Sequence, residues 1–245
     1  MRMTRIDELR GTLKVLGSGL RIGGSKEVAG IGETDNPIIR HPITHLPYVP
    51  GSSIKGKIRS LLELRHCPKT QESGLPCTCG QCQVCQLFGC GGTQNIQSPS
   101  RLVFRDCQPT EETRSAWEEA GVSSEVKTEV LIDRNKGLAY GRIGPRTMER
   151  IPANSDFDFS FSLRVFDGDD VAGYYEFLAE GFELLAKHYL GGSGSRGLRR
   201  GVDRRRGRYA HARVPAQESP GDEVARAGLL HQSPAALAPG YAVAV

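Results

Sequence analysis

No apolar run in this sequence approaches the ~18 residues that a membrane-spanning helix needs, so no transmembrane helix is expected. The opening stretch, MRMTRIDELRGTLKVL, holds no apolar signal segment; export is not expected, and the expected location is the cytoplasm. A strong excess of one charge is missing too: 32 Lys and Arg stand against 28 Asp and Glu, a formal net charge of +4. Regular alternation of strand and helix patterns is absent, which argues against a doubly wound parallel sheet and for an α+β fold. At 245 residues, 38% of them hydrophobic, the chain is long enough to bury a real core in one large domain, or in a small domain with insertions.

What the chain has instead is glycine in clusters, locally concentrated positive charge and a knot of cysteines. Thirty glycines fall mainly in loops. From Arg196 to Arg208 there are seven arginines and one aspartate, which reads either as a solvated tail or as a phosphate-binding surface. Of seven cysteines, five lie between Cys77 and Cys90 and a sixth adjoins His66, a distribution that points to metal rather than disulfides. Cys79-x-x-Cys82-x-x-Cys85 brings three thiolates within reach of one tetrahedral zinc, with His66, Cys67 or Cys77 as the fourth ligand. Four such soft ligands close the shell, so a structural zinc is expected.

The coarse element pattern is mixed. Arg10 to Leu20 alternates as a first strand, followed by a long Gly- and Pro-rich loop to Pro50. Ile54, Ile58, Leu61 and Leu62 recur at helical spacing, with Ser52 or Ser53 as N-cap and an end near His66. A short strand at Arg101, a small polar helix from Glu111 and a strand from Val126 to Ile132 follow. The strictly alternating DFDFSFSLRVF from Asp156 is the clearest strand. Tyr174 to Leu190 is a helix with Phe177, Leu178, Phe182, Leu184 and Leu185 on its apolar side.

The segment PGSSIKGKIRS from Pro50 has three readings. As a P-loop it lacks the Ser or Thr that must follow the lysine, because Ile58 stands after Lys57. As an S-x-x-K nucleophile motif, Ser52 to Lys55, it lacks the accompanying S-D-N and K-T-G. A helix N-terminus that attracts an anion survives, with Ser53 as a hydroxyl donor and Lys55 and Arg59 one turn apart. GGSGSRG from Gly191 is a second anion device, since glycines let successive N–H groups approach a ligand. Two such devices and an arginine run favour a nucleic-acid partner. Asp35, in GIGETDNP, is by itself an Asx-type turn former; beside RNA it is a candidate to hold a divalent metal or to help activate a ribose hydroxyl.

Five stretches, GSGLRIGGSKE, IGETDNPIIRHPITHLPYVPGSSIKGKIRSLLE, CGQCQVCQLFG, SRLVFRD and HYLGGSGSRGLRRG, occur in one order and together resemble the backbone ribonuclease subunits of type III-A CRISPR complexes, in the RAMP superfamily. Type III-D backbone subunits share several of them. The resemblance spans about Thr12 to Gly201. It implies an RNA-recognition-motif-like (ferredoxin-like) palm over 1–211, a zinc-bearing insertion at about 66–100 and a β-hairpin thumb at about 129–150, with 212–245 left as a flexible tail. It implies copies stacked along a guide crRNA with other subunits of the complex, and metal-dependent cleavage of complementary target RNA by Asp35, using the 2′-hydroxyl as nucleophile and Mg²⁺ or another divalent ion. It implies that the loop from Gly191 to Gly197 binds RNA; with the helix start read above, the candidate guide contacts are Ser53, Lys55, Arg59, Gly191, Gly192, Ser193, Gly194 and Arg196. In the thumb, Ile143 and Met148 are the apolar candidates. The alternative reading is a purely structural guide-RNA scaffold without nuclease activity.

Overall fold

The computed structural model describes residues 1–23, 36–91, 99–141, 144–194 and 241–244. Strand β1 (Met3–Lys14) and strand β5 (Asp156–Phe166) form its centre, antiparallel from Arg5↔Val165 to Lys14↔Asp156. β5 behaves as its alternation demands: Phe157, Phe159, Phe161, Leu163 and Val165 are all buried. Each fully buried apolar side chain of this size contributes roughly 1.5–3 kcal/mol, so this one strand face is a main source of stability. β2 (Leu102–Phe104) adds to the outer side of β5, and β6 (Tyr241–Ala244) lies on the other side of β1.

Two long helices cover that apolar face. α1 (Gly51–His66) buries Ile54, Ile58, Leu61 and Leu62, the stripe its spacing implies. α5 (Val171–Lys187) buries Tyr174, Phe177, Leu178 and Leu185, while Phe182 and Leu184 pack at the margin. The helices meet at Gly181, where a Cβ would stand 2.6 Å from the Ile58 side chain. A side chain there would force the pair apart.

Between α1 and β2 lies the cysteine-rich insertion, with α2 (Pro68–Ser73) and α3 (Gln83–Phe88). α4 (Glu111–Ala120) is capped by Thr110, and its Trp117 meets Phe157 edge-on. β3 (Glu125–Glu129) and β4 (Arg146–Arg150) form a separate antiparallel hairpin.

Several boundaries differ from the sequence pattern. The first strand is Met3–Lys14, not Arg10 to Leu20. Backbone pairing with β5 recruits the polar Thr4–Glu8 stretch, and Gly17 and Gly19, with φ of 73° and 93°, turn the chain away. The hairpin strand ends at Glu129; Ile132 pairs only through a single bridge to Ala139. Of the expected tail, 212–240 lies outside the described residues, and Tyr241–Ala244 is the edge strand β6. The strand order β2-β5-β1-β6 is that of a ferredoxin-like sheet, yet β6 runs parallel to β1. A right-handed β5–α5–β6 crossover would set it antiparallel, because β5 is antiparallel to β1.

Candidate functional site

Three segments far apart in sequence meet beside β4. The excursion 24–35 leaves and returns at one place: Gly23 bridges Ile38, and the Ile39 N–H donates to the Ile22 carbonyl at 3.0 Å. Asp35 lies outside the described residues, but its neighbour Asn36 is held on all sides. The Asn36 carbonyl accepts from the Glu149 N–H at 3.0 Å, its Nδ2 reaches the Thr147 carbonyl at 3.4 Å, and its Oδ1 accepts from Arg21 Nη2 at 3.2 Å. The Arg21 carbonyl in turn accepts from the Gly192 N–H at 2.9 Å. Gly191, at φ +77°, has no room for a side chain: a Cβ would stand 2.0 Å from the Arg21 carbonyl oxygen. Gly194 presses on Tyr189 in the same way. Ser193, also at positive φ, places its hydroxyl 3.9 Å from the Met148 sulfur. The glycine loop, Arg21 and the anchor of Asp35 are therefore one junction. Arg21 Nε is buried with no partner among the described residues, a donor available to an anion.

Glu149 ties the hairpin to this junction. Its carboxylate accepts from the Ile38 N–H at 2.9 Å, from Ser124 at 2.6 Å and from Arg40, which also reaches Ser123. Burial disfavours its charged form, but these hydrogen bonds outweigh burial and hold the carboxyl below its ordinary pKa.

At α1 the arrangement differs from the expected open anion site. Pro50, not Ser52 or Ser53, is the N-cap, and the Asp106 carboxylate accepts from the Gly51 N–H at 2.8 Å. A Cβ at Gly51 would lie 2.5 Å from the Arg105 carbonyl, so glycine lets the helix start against the end of β2. Lys55 donates to the Leu102 carbonyl at 3.0 Å and to Ser100 at 3.3 Å, and burial lowers its pKa, followed by the nearby Arg164 and Arg59. Arg59 pairs with Glu63 at 2.9 Å and donates to the Cys77 carbonyl at 2.9 Å. Both cations are thus engaged within the protein. Lys57 instead lies over the Tyr189 ring, 4.3 Å from its centroid, next to the glycine loop.

The cysteine motif closes into a cluster. The sulfurs of Cys77, Cys79, Cys82 and Cys85 all lie within 4.8 Å of one another, with Cys77–Cys82 at 3.8 Å and Cys79–Cys85 at 3.9 Å. Tetrahedral zinc with bonds of ~2.3 Å sets its sulfur ligands ~3.8 Å apart, so the spacing fits. Burial works against the Cys79 thiolate, but backbone N–H groups of Cys82 and Gln81 draw its pKa down to about 6. His66 is not a member: its Nε2 lies 2.9 Å from a Glu180 oxygen and its ring rests on Phe177. Cys67 is buried beside Cys77 and Cys82, outside the set of four.

With the junction and the thiol cluster in place, the chain can be compared with known proteins. The sequence signature of the RAMP superfamily matches residues 12–198. The chain belongs to this superfamily. It is 42% identical over 194 residues to the CRISPR system Cms endoribonuclease Csm3 of Methanothermobacter thermautotrophicus, covering 74% of this chain and 76% of that protein. It is 43% identical over 188 residues to the protein of the same name from Methanocaldococcus jannaschii, covering 74% and 72%. The crystal structure of Methanopyrus kandleri Csm3 superposes with a TM-score of 0.50 at 25% identity, over 77% of this chain and 72% of that one.

On the face of β5 opposite its buried aromatics stand Asp156, Asp158, Ser160, Ser162, Arg164 and Phe166; Ser162 is buried, and the half-buried Phe166 ring lies under the Arg101 guanidinium, 4.7 Å from its centroid. Met148 is buried at 7% exposure under Ser193 and is not an exposed wedge. Among the described residues of the hairpin, the exposed large apolar side chains are Val126 on β3 and Val130, Leu131, Ile132 and Leu138 in the arm beyond it, 130–141. Ile143 and Arg196 lie outside the described residues. Arg21, Asn36 and Asp106 were missed in the sequence; each stands inside or next to a recognised motif, but their partners are distant in the chain.

Gly191→Ala is expected to destabilise by at least about 1–2 kcal/mol, because left-handed backbone alone costs an alanine that much. Gly56→Ala, whose Cβ would enter open space on α1, is expected to stabilise by up to about 1 kcal/mol. Urea unfolding of the two variants checks the contrast.

Proposed function

We propose that this chain is a backbone subunit of a type III CRISPR complex that binds guide crRNA, assembles with copies of itself and other subunits, and cleaves complementary target RNA. The observation that carries this is the junction of the Asp35 anchor, Arg21 and the glycine loop, in a chain more than 40% identical to endoribonucleases. Asp35 is the cleavage residue. Gly191, Ser193 and Gly194 present backbone N–H groups to phosphate, while the Gly192 N–H holds the loop to the Arg21 carbonyl, with Arg196, Lys57 and Arg21 as the cations around them. Ser53 faces the same side of α1 as a hydroxyl donor. Lys55 acts by holding α1 to β2, so the guide surface it was expected to make shifts towards Lys57.

The palm is the sheet of β1, β2 and β5 with α1 and α5, within 1–211, joined at its edge by β6, and the hairpin with its arm to about residue 150 is the thumb. Its exposed Val130, Leu131, Ile132 and Leu138 are the wedge that unstacks target bases, while neighbouring Arg134, Lys136 and Arg146 hold phosphates. The insertion holds structural Zn²⁺ on Cys77, Cys79, Cys82 and Cys85. A divalent ion such as Mg²⁺ at the cleavage site would stabilise charge on the transferring phosphate. Asp35 holds or orients, rather than deprotonates, since an aspartate near its usual pKa of ~3.9 is a weak base at neutral pH. Among the described residues no helix is long and apolar enough to cross a membrane.

The test is cleavage of guide-complementary RNA by the assembled complex, with Mg²⁺ and with EDTA. Regularly spaced cuts that need the divalent ion are expected. Target binding without cleavage under either condition would leave the scaffold reading in its place.

A further inference from the structure

Arg59 was expected to meet a phosphate at the start of α1, yet it and Glu63 turn to the thiol cluster. Glu63 is 4% exposed, an unusual place for a carboxylate without a specific task. Its Oε1 accepts from Arg59 Nε at 2.9 Å and from the Cys77 N–H at 3.0 Å. Arg59 Nη2 donates to the Cys77 carbonyl at 2.9 Å. One side-chain pair on α1 thus holds the main chain of a single cysteine on both its N–H and its C=O. The Cys85 thiol also donates to that carbonyl, at 3.4 Å. Once Cys85 gives up its proton to bind a metal, Arg59 is the donor left there.

We propose that Arg59 and Glu63 are positioning residues of the metal centre, fixing Cys77 as a ligand and locking the insertion to α1, and that Arg59 is not a phosphate ligand. This rests on the metal reading above. The chemistry suits it. Four thiolates and Zn²⁺ carry a net charge of about −2; the Arg59–Glu63 pair, neutral in sum, acts on the site through its hydrogen bonds to the Cys77 main chain. Hydrogen bonds around a ligand orient it, and their loss typically costs 10–100-fold in metal affinity. The pair also explains why Cys77, outside the regular Cys79-x-x-Cys82-x-x-Cys85 spacing, is the fourth ligand. It is the cysteine whose backbone α1 holds in place.

The experiment uses the full chain, loaded with Zn²⁺ or Co²⁺, and compares wild type with Glu63→Gln and Arg59→Lys. Glu63→Gln keeps the side-chain volume, and Arg59→Lys keeps the charge but loses the two-pronged contact. Chelator competition is expected to show zinc affinity about 10–100-fold lower in both variants. The Co²⁺–thiolate absorption bands should shift in position, a signature of altered ligand geometry that simple loss of stability does not give. RNA affinity and its salt dependence should match wild type when all are metal-loaded. Wild-type zinc affinity and spectra in both variants overturn the proposal, and a flatter salt slope in a third variant that removes the charge, Arg59→Gln, returns Arg59 to the RNA. A wild-type chain that takes up no metal at all removes the metal reading itself, a failure visible before either variant is measured.

Discussion

Asp35→Ala in the assembled complex is expected to abolish cleavage of guide-complementary RNA while leaving guide and target binding within about twofold. A carboxylate can hold a divalent ion or orient a ribose hydroxyl, and of the two in the GIGETDNP loop, Glu33 and Asp35, Asp35 is the one next to Asn36. Its neighbour Asn36 is anchored by Arg21, Thr147 and Glu149, and Arg21 also holds the glycine loop. Losing several kcal/mol of transition-state stabilisation corresponds to a rate loss of about 10²–10³ or more. Removing a negative charge near RNA does not weaken phosphate contacts, so binding should persist. The measurement is single-turnover cleavage at matched target occupancy, repeated with a target carrying a 2′-deoxy sugar at the cut position. Wild-type rates from the mutant complex would take Asp35 out of the chemistry. Cutting of the deoxy-substituted target would exclude the 2′-hydroxyl as nucleophile.

Replacing Cys82 and Cys85 with serine is expected to abolish zinc binding and to lower the melting temperature sharply. These residues supply two of the four clustered sulfurs, and Cys85 is buried against the core with Val84, Leu87 and Phe88. Structural zinc contributes of the order of 10 kcal/mol to small zinc-dependent folds. Here α1, α5 and the sheet retain their own core, so the loss should centre on the insertion, including α2 and α3. Metal content by elemental analysis and thermal unfolding, measured together under reducing conditions, check it. A chain that is stable and free of zinc when purified without chelators would make these ordinary thiols.

Much of the architecture was legible because it rests on local periodicity. The buried stripe of α1, the alternation of β5 and the apolar side of α5 each follow from residues a few positions apart. The four-thiol site was nearly legible for the same reason, since three of its ligands repeat at fixed spacing. The fourth was not. His66 and Cys77 are both within reach in sequence, and only the Glu180 contact of the one and the α1 clamp on the other separate them. Charge was misleading at Lys55 and Arg59. Two cations a turn apart at a helix start read as an anion site, but Leu102, Glu63 and Cys77 take them up.

The sequence by itself determined the superfamily, the α+β class, the core faces and the identity of the chemically capable residues, because these depend on motifs and on short-range spacing. The tertiary structure alone decided which of those residues meet. Arg21 with Asn36 and Gly192, Asp106 with Gly51, and Arg59 and Glu63 with Cys77 are contacts between separate segments. So is the burial of Met148 under Ser193. Whether a cation faces solvent or a carbonyl, and whether an apolar side chain is wedge or core, depends on what the rest of the chain packs against it, and neighbouring residues in sequence do not encode that.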